Sequence, residues 1–204
     1  MTQLLESPLS PPRHDKPRPR PAPREEYRSF GNMESRNGLQ ERVEIPLLLR
    51  ALRLPRGGRV LEVGCGRGIA LPVLSERLAP AELVGVDIDP SLIKAARLRA
   101  ERTHINATLH VADVRELPFA DGEFDLVIDF GTCYHVSGGE KGQLSALREI
   151  GRVLRVGGLF VHETRVAQLL AHPIRSFGRR LPWKRVSTLE TERGAVLWIA
   201  RRRR

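Results

Sequence analysis

The residues able to do chemistry gather at the ends of short apolar runs. Val60-Leu61-Glu62-Val63 leads into Gly64-Cys65-Gly66-Arg67-Gly68, the pattern of a strand entering a glycine turn that opens a helix. Such glycines permit positive φ and let a ligand approach the backbone without meeting a Cβ. Ile69 stands where the dinucleotide fingerprint G-x-G-x-x-G needs its last glycine, so the turn suits a smaller, phosphate-free group better than a pyrophosphate. A tight structural turn is the other use of the same residues. Asp87 closes the next run, Val84-Gly85-Val86-Asp87. A carboxylate there can accept hydrogen bonds from both hydroxyls of a ribose, or it can cap the following helix, a task equally open to Asp89. Asp113, with Val114 beside it, closes a third run. The carboxyl ends of successive parallel strands are where open α/β sheets bind ligands.

A fourth run ends in Asp129-Phe130-Gly131-Thr132-Cys133-Tyr134-His135. His135 has the unperturbed pKa best suited to a base near neutral pH; bonding the loop or shaping a pocket is its alternative role. Tyr134 is placed to line an acceptor site, and Cys133 reads as a small buried filler. His162 and Glu163 close a fifth run on the same rim, where they can face an acceptor. Asp129-Phe130-Gly131 spells a kinase metal motif, but no H-R-D loop accompanies it. The six histidines show no H-x-x-x-H spacing and the two cysteines no C-x-x-C spacing, so no metal is expected.

The elements that must position these residues alternate. Strand-like runs at Arg59–Val63, Leu83–Asp87, Thr108–Ala112, Phe124–Asp129 and Leu159–Glu163 are mostly separated by helical patterns, clearest over Ser91–Arg102 and Glu140–Leu154. This rhythm predicts a parallel sheet with helices on both faces. Ser91 is the expected N-cap of the first helix, and Gly157-Gly158 the expected stop of the second. A helical pattern over Asn37–Leu54 is expected to kink or break at Pro46. Arg185–Thr191 and Ala195–Ala200 read as a closing antiparallel hairpin, with a helix or loop over 165–181 before it.

Composition bounds the rest. The 204 residues, 41% hydrophobic and 28% charged, suit one domain with tails. No apolar run approaches the roughly 20 residues of a membrane span, and Met1–Pro12 lacks the features of a secretory signal. Cys65 and Cys133 read as unpaired thiols of a reducing compartment, so a cytoplasmic protein is expected. The net charge of +10 is uneven: residues 165–204 hold 11 Lys/Arg against 2 Asp/Glu, whereas 31–164 hold 17 against 18. A neutral body argues against a domain built around nucleic acid. Residues 1–30, rich in Pro and Arg, read as a disordered tail, with a proline-rich docking ligand as the alternative. The domain is expected over 31–200, with 201–204 as a solvated basic tail.

Taken together, Leu61-Glu62-Val63-Gly64-Cys65-Gly66-Arg67-Gly68, Gly85-Val86-Asp87, Ala112-Asp113-Val114 through Leu117-Pro118-Phe119, Phe124-Asp125-Leu126-Val127, and Leu147-Arg148-Glu149-Ile150 through Gly157-Gly158 resemble the class I S-adenosylmethionine-dependent methyltransferases. The likeness is to their small-molecule and lipid branch, typified by the ubiquinone/menaquinone biosynthesis methyltransferases, and covers roughly Asn37–Ala200. It implies a Rossmann-like, seven-stranded methyltransferase sheet, mostly parallel with a C-terminal antiparallel hairpin, and S-adenosylmethionine as cofactor. By the same resemblance Glu62 helps fix the cofactor's amino-acid end, Gly64, Cys65, Gly66 and Gly68 form the loop around it, and Asp87 holds the ribose. Ile88 would pack on adenine, Asp113 accept from its amino group and the Val114 backbone bond the ring, with Asp129 and Phe130 completing the cofactor set.

Methyl transfer from a sulfonium is an in-line displacement, so the protein mainly aligns donor and acceptor and excludes water. A hydroxyl or phenol acceptor additionally needs a base, the role for which His135 is the candidate. The Asp/Asn-Pro-Pro-aromatic run of amino-nucleobase methyltransferases is absent after the fourth strand, as is the Pro-Cys pair of the cytosine-carbon enzymes, Thr132 preceding Cys133. The expected acceptor is therefore a small, apolar or lipid-like molecule, without specific nucleic-acid binding. Alternatives are an RNA or protein methyltransferase using the arginine-rich end, and a non-catalytic module that binds the cofactor. Arg165–Arg185 mixes apolar residues with arginines and Trp183: it suits a helix packed on the sheet, or a weak association with an anionic membrane surface.

Overall fold

The computed structural model describes residues 40–52, 54–165, 183–190 and 195–203. The chain divides into Met1–Gly31 and Asn32–Arg204; the first unit, the expected tail, lies outside the described residues, as do 166–182 and 191–194. Strands β1 (Arg59–Val63), β2 (Glu82–Asp87), β3 (Thr108–Val111), β4 (Phe124–Asp129), β5 (Leu154–Arg165), β6 (Trp183–Glu190) and β7 (Ala195–Arg202) alternate in their first part with helices α1 (Ile45–Leu52), α2 (Leu71–Leu78), α3 (Pro90–Arg102) and α4 (Gly139–Val153). The sheet order is β3-β2-β1-β4-β5-β7-β6. Strands β1 to β5 pair in parallel, whereas β7 is antiparallel to both β5 and β6. The chain is thus of the expected α/β class with a parallel sheet.

Each central strand is apolar on both sides, as burial between two helical layers requires. Leu61, Val63, Val86, Val127 and Phe160 join Ala146, Leu147 and Ile150 of α4 in one core. Val60, Leu83, Leu126, Ile128 and Val161 join residues of α1, α2 and α3 in the other. The order reverses between β1 and β4, and the crevice of an open sheet lies at the carboxyl ends of such a pair.

Several local expectations are corrected. Pro46 does not interrupt a helix: it is the second residue of α1, where a missing N–H is harmless, and a π-helical turn, Gln40–Glu44, precedes it. The N-cap of α3 is Asp89, whose carboxylate accepts from the Ser91 N–H at 2.7 Å, so Ser91 lies inside the first turn. Helix α4 ends at Val153, four residues before the glycine pair, because Leu154 turns extended and begins β5. Gly157, at φ +80°, lies in the irregular stretch of β5 where the register against β4 jumps from Leu154 to Leu159. Helix α2 follows the glycine turn directly, with Pro72 near its start.

The basic end is also ordered further than expected. Strand β7 includes Arg201 and Arg202, and the Arg202 guanidinium donates through Nη1 to the carbonyls of Arg152, at 3.0 Å, and Leu154, satisfying acceptors left over where α4 ends. No helix among the described residues is long and apolar enough to cross a membrane.

A second polar cluster fixes the chain between β3 and β4. Glu149 of α4 accepts from the Leu117 N–H at 2.8 Å, while Arg152 donates to the carbonyls of Phe119 at 2.7 Å and Leu117 at 3.0 Å. The motif in α4 and the motif at Leu117-Pro118-Phe119 therefore bind one another, and together they hold the segment that begins at Asp113.

Candidate functional site

At the mouth of the sheet, β1 runs into a turn in which Gly64, Gly66 and Gly68 all have positive φ (+67°, +53° and +72°). Their reasons differ. A Cβ on Gly64 would stand 1.7 Å from Oγ1 of Thr132, so that glycine admits a side chain from beyond β4 rather than a ligand. A Cβ on Gly68 would meet Leu71 and Ala96, which makes it the contact between turn and helices. Gly66 alone of the three faces open space, with nothing within 4 Å of the Cβ it lacks.

Asp87 ties this turn to β2. Its Oδ2 accepts from the Gly66 N–H and its Oδ1 from the Asp89 N–H, both at 2.9 Å. Burial raises its pKa, and these backbone bonds oppose the rise without cancelling it. Cys65 is buried, its thiol pushed up by desolvation and by Glu62 and Asp87. Glu62 is 4% exposed, and its Oε2 has no hydrogen-bond partner. Desolvation first, then the charges of Asp87 and Asp129, push its pKa up to about 8. An acid so placed is short of a cationic, hydrogen-donating neighbour.

Across the crevice, Asp129 and His162 are register neighbours on β4 and β5, both 0% exposed, with Oδ2 and Nδ1 2.8 Å apart. Asp129 also accepts from the N–H groups of Thr132 at 2.5 Å and Cys133 at 3.1 Å. Its carboxylate therefore frames the segment that carries Cys133 and His135, which form a short 3-10 turn. His135 donates its N–H to the Thr132 carbonyl at 2.9 Å; the Tyr134 side chain lies outside what is described. Phe130 packs on the second core, Val114 is 7% exposed in the first, and Ile88 is 40% exposed beside Asp87.

Asp113 is engaged by a neighbour that no periodicity marks. Arg115 donates its backbone N–H and Nε to Oδ1, both at 2.9 Å, and Nε and Nη2 to Oδ2, while its Nη1 reaches Oγ of Ser137 at 2.9 Å. The guanidinium outweighs the cost of burial and holds Asp113 below the usual carboxylate range.

Residues 60–158 match the family model described as a methyltransferase domain. That segment, just under half of the chain, is similar to methyltransferase domains. The chain is 35% identical over 117 residues to a ubiquinone/menaquinone biosynthesis C-methyltransferase of Geobacter sp., covering 55% of this chain and 48% of that protein. To a ribosomal protein L11 methyltransferase of Ralstonia pickettii it is 46% identical over 72 residues, 35% of this chain and 22% of that protein. The chain thus spans half or less of the length of these relatives. A crystal structure of a SAM dependent methyltransferase from Aquifex aeolicus superposes with a TM-score of 0.68 at 16% identity, over 80% of this chain and 92% of that one, and so shares the fold. The cofactor of this domain is S-adenosylmethionine, and the residues present suit it: a buried carboxyl oxygen without a donor at Glu62, an open glycine at Gly66 and a half-buried carboxylate at Asp87 match a ligand carrying an ammonium group and ribose hydroxyls.

Proposed function

We propose that the protein transfers the methyl group of S-adenosylmethionine to a small, apolar or lipid-like acceptor. The observation that carries this reading is the unpartnered Oε2 of Glu62, buried beside the turn that Asp87 fastens through Gly66. Glu62 accepts from the cofactor's amino group, Gly66 lets the backbone approach it, Asp87 accepts from the ribose hydroxyls, and Asp113 and Val114 bind the adenine with Ile88 against its face. When bound, the cofactor supplies a methyl group on a sulfonium that is already a good leaving group. The chain's own task is then to orient the two reactants and exclude water. His135, on the segment framed by Asp129, takes the acceptor's proton.

The acceptor class is supported by the likeness to the quinone-biosynthesis methyltransferase, which extends over 55% of the chain, whereas the likeness to the ribosomal-protein methyltransferase stops at 35%. Incubating the protein with methyl-labelled S-adenosylmethionine and fractionated lysate tests the reading. Label should enter the lipid or small-molecule fraction; label in RNA or protein would overturn the acceptor class. Calorimetric binding of the cofactor with no transfer to any fraction would leave only a binding module. Asp87→Ala should weaken cofactor binding at least tenfold, the scale of a lost hydrogen bond to a charged group, and unchanged affinity would remove the ribose assignment.

A further inference from the structure

Among the described residues, segment 132–138 carries a candidate base, His135, and is tied at both ends to residues of the site. One tie is at its start, where Thr132 packs on Gly64 and the N–H groups of Thr132 and Cys133 bond Asp129. The other is at its end. Ser137 receives Nη1 of Arg115 on its hydroxyl, at 2.9 Å, and on its carbonyl, at 3.5 Å. That carbonyl is also wedged against α4, since a Cβ on Gly142 would stand 1.8 Å from it. Arg115 is itself forked onto Asp113, 22 positions earlier than Ser137 in contact though only two from Asp113 in sequence.

A carboxylate offers about four acceptor sites. Arg115 fills them with four bonds, two on each oxygen, but Nε is shared between Oδ1 at 2.9 Å and Oδ2 at 3.0 Å, so a further donor at Oδ2 displaces only the longer branch of a shared bond. A lysine could not do the same work, because only a guanidinium is a planar fork able to grip a carboxylate with one edge and still reach elsewhere with Nη1. The side chains of Arg115 and Asp113 are 32% and 27% exposed, so the pair lies at the rim and not in the core.

We propose that Arg115 is a positioning residue that ties cofactor occupancy at Asp113 to the placement of the acceptor-side segment 132–138. A donor that takes the place of the longer Nε branch at Oδ2 of Asp113 leaves the Nε–Oδ1 and Nη2–Oδ2 fork in place and stiffens Asp113, Arg115 and Ser137 as one chain, so the segment bearing His135 is best placed when the cofactor is present. Coupling between two such sites is reciprocal, and typical values are about 5- to 150-fold in affinity. This rests on the assignment of Asp113 to the cofactor made above.

The test uses the full chain and S-adenosylhomocysteine, with hydrogen exchange read by mass spectrometry and affinity by calorimetry. In the unaltered protein the ligand should slow exchange both at 64–68 and at 132–138. In Arg115→Ala the slowing at 132–138 should vanish while that at 64–68 remains, with affinity lower by about tenfold. Arg115→Lys, which keeps the charge but not the fork, should behave like Arg115→Ala, and Ser137→Ala, which leaves Asp113 gripped, should lose protection at 132–138 with a smaller change in affinity. Should Arg115→Ala fold poorly, the lysine and Ser137 variants carry the test alone. Ligand protection of 132–138 that is the same in all variants as in the unaltered protein overturns the proposal while leaving the cofactor site intact. No binding to the unaltered protein overturns the proposed function itself, and this coupling with it.

Discussion

Asp129 and His162 are paired side by side at the carboxyl ends of β4 and β5, Oδ2 to Nδ1 at 2.8 Å, with neither exposed to solvent. Burial alone would raise the Asp129 pKa, but the attraction and hydrogen bond of His162, with further bonds from Cys133, outweigh it and hold the group below its ordinary value. The ionised carboxylate holds the imidazole through Nδ1 and anchors the amides of Thr132 and Cys133. Removing one member of a buried pair strands the other.

Asp129→Asn and His162→Leu should therefore each lower the melting temperature by about 10 °C, from a loss of roughly 3–5 kcal/mol in a chain of this size. The pH dependence has a definite sign. A carboxyl with a depressed folded pKa contributes stability above its unfolded value of about 4 and loses it as pH falls through the folded pKa. Thermal melts between pH 3 and 6 should show this acid-side loss in the native protein and a flatter profile in Asp129→Asn.

Glu62 has the opposite sign. With its pKa raised to about 8 from 4.5, the folded protein holds a proton that the unfolded chain has released, so this group's contribution falls as pH rises from about 4.5 to about 8 and then levels off. Glu62→Gln should raise the melting temperature of the ligand-free protein by several degrees at pH 8 and weaken cofactor binding. Because a cationic ligand favours the carboxylate, binding at pH 7 should release a proton, visible as a calorimetric heat that changes with the ionisation enthalpy of the buffer. Equal heats in phosphate and Tris would contradict it.

Gly64→Ala and Gly66→Ala should separate packing from binding. At Gly64 the new methyl would collide with Thr132, so stability should fall by about 2 kcal/mol or more, and Thr132→Gly should restore part of it in the double variant. At Gly66 there is space, and the cost is the positive φ of +53°, about 1 kcal/mol. The larger effect there should be on cofactor affinity, measured by calorimetry.

His135→Ala should reduce turnover of the labelled acceptor about a hundredfold while cofactor affinity stays within twofold, the pattern of a lost proton acceptor. Full activity in this variant would move the base elsewhere.

The strands at Arg59–Val63 and Phe124–Asp129 were legible to the residue, because each is an apolar run bounded by turn-forming or charged residues. Asp87 at the end of β2 was legible for the same reason. The helix Leu71–Leu78 was legible as the one the glycine turn opens, but not its bounds, since eight residues with a proline near the start give too little periodicity. The true reason for Gly64 lies 68 positions away in Thr132, and the partners of Glu149 and Arg152 lie beyond β4. Such long-range polar and steric partnerships leave no local pattern. The choice of Asp89 over Ser91 as cap turned on two residues of phase at the start of α3, which composition does not decide.

Arg202, near the far end of the sequence, clasps the joint at which α4 gives way to β5. Trimming the arginine cluster as dispensable surface charge would thus unfasten the base of the very helix whose other end abuts Ser137, and an engineered C-terminal fusion is best attached beyond that residue with the cluster kept whole.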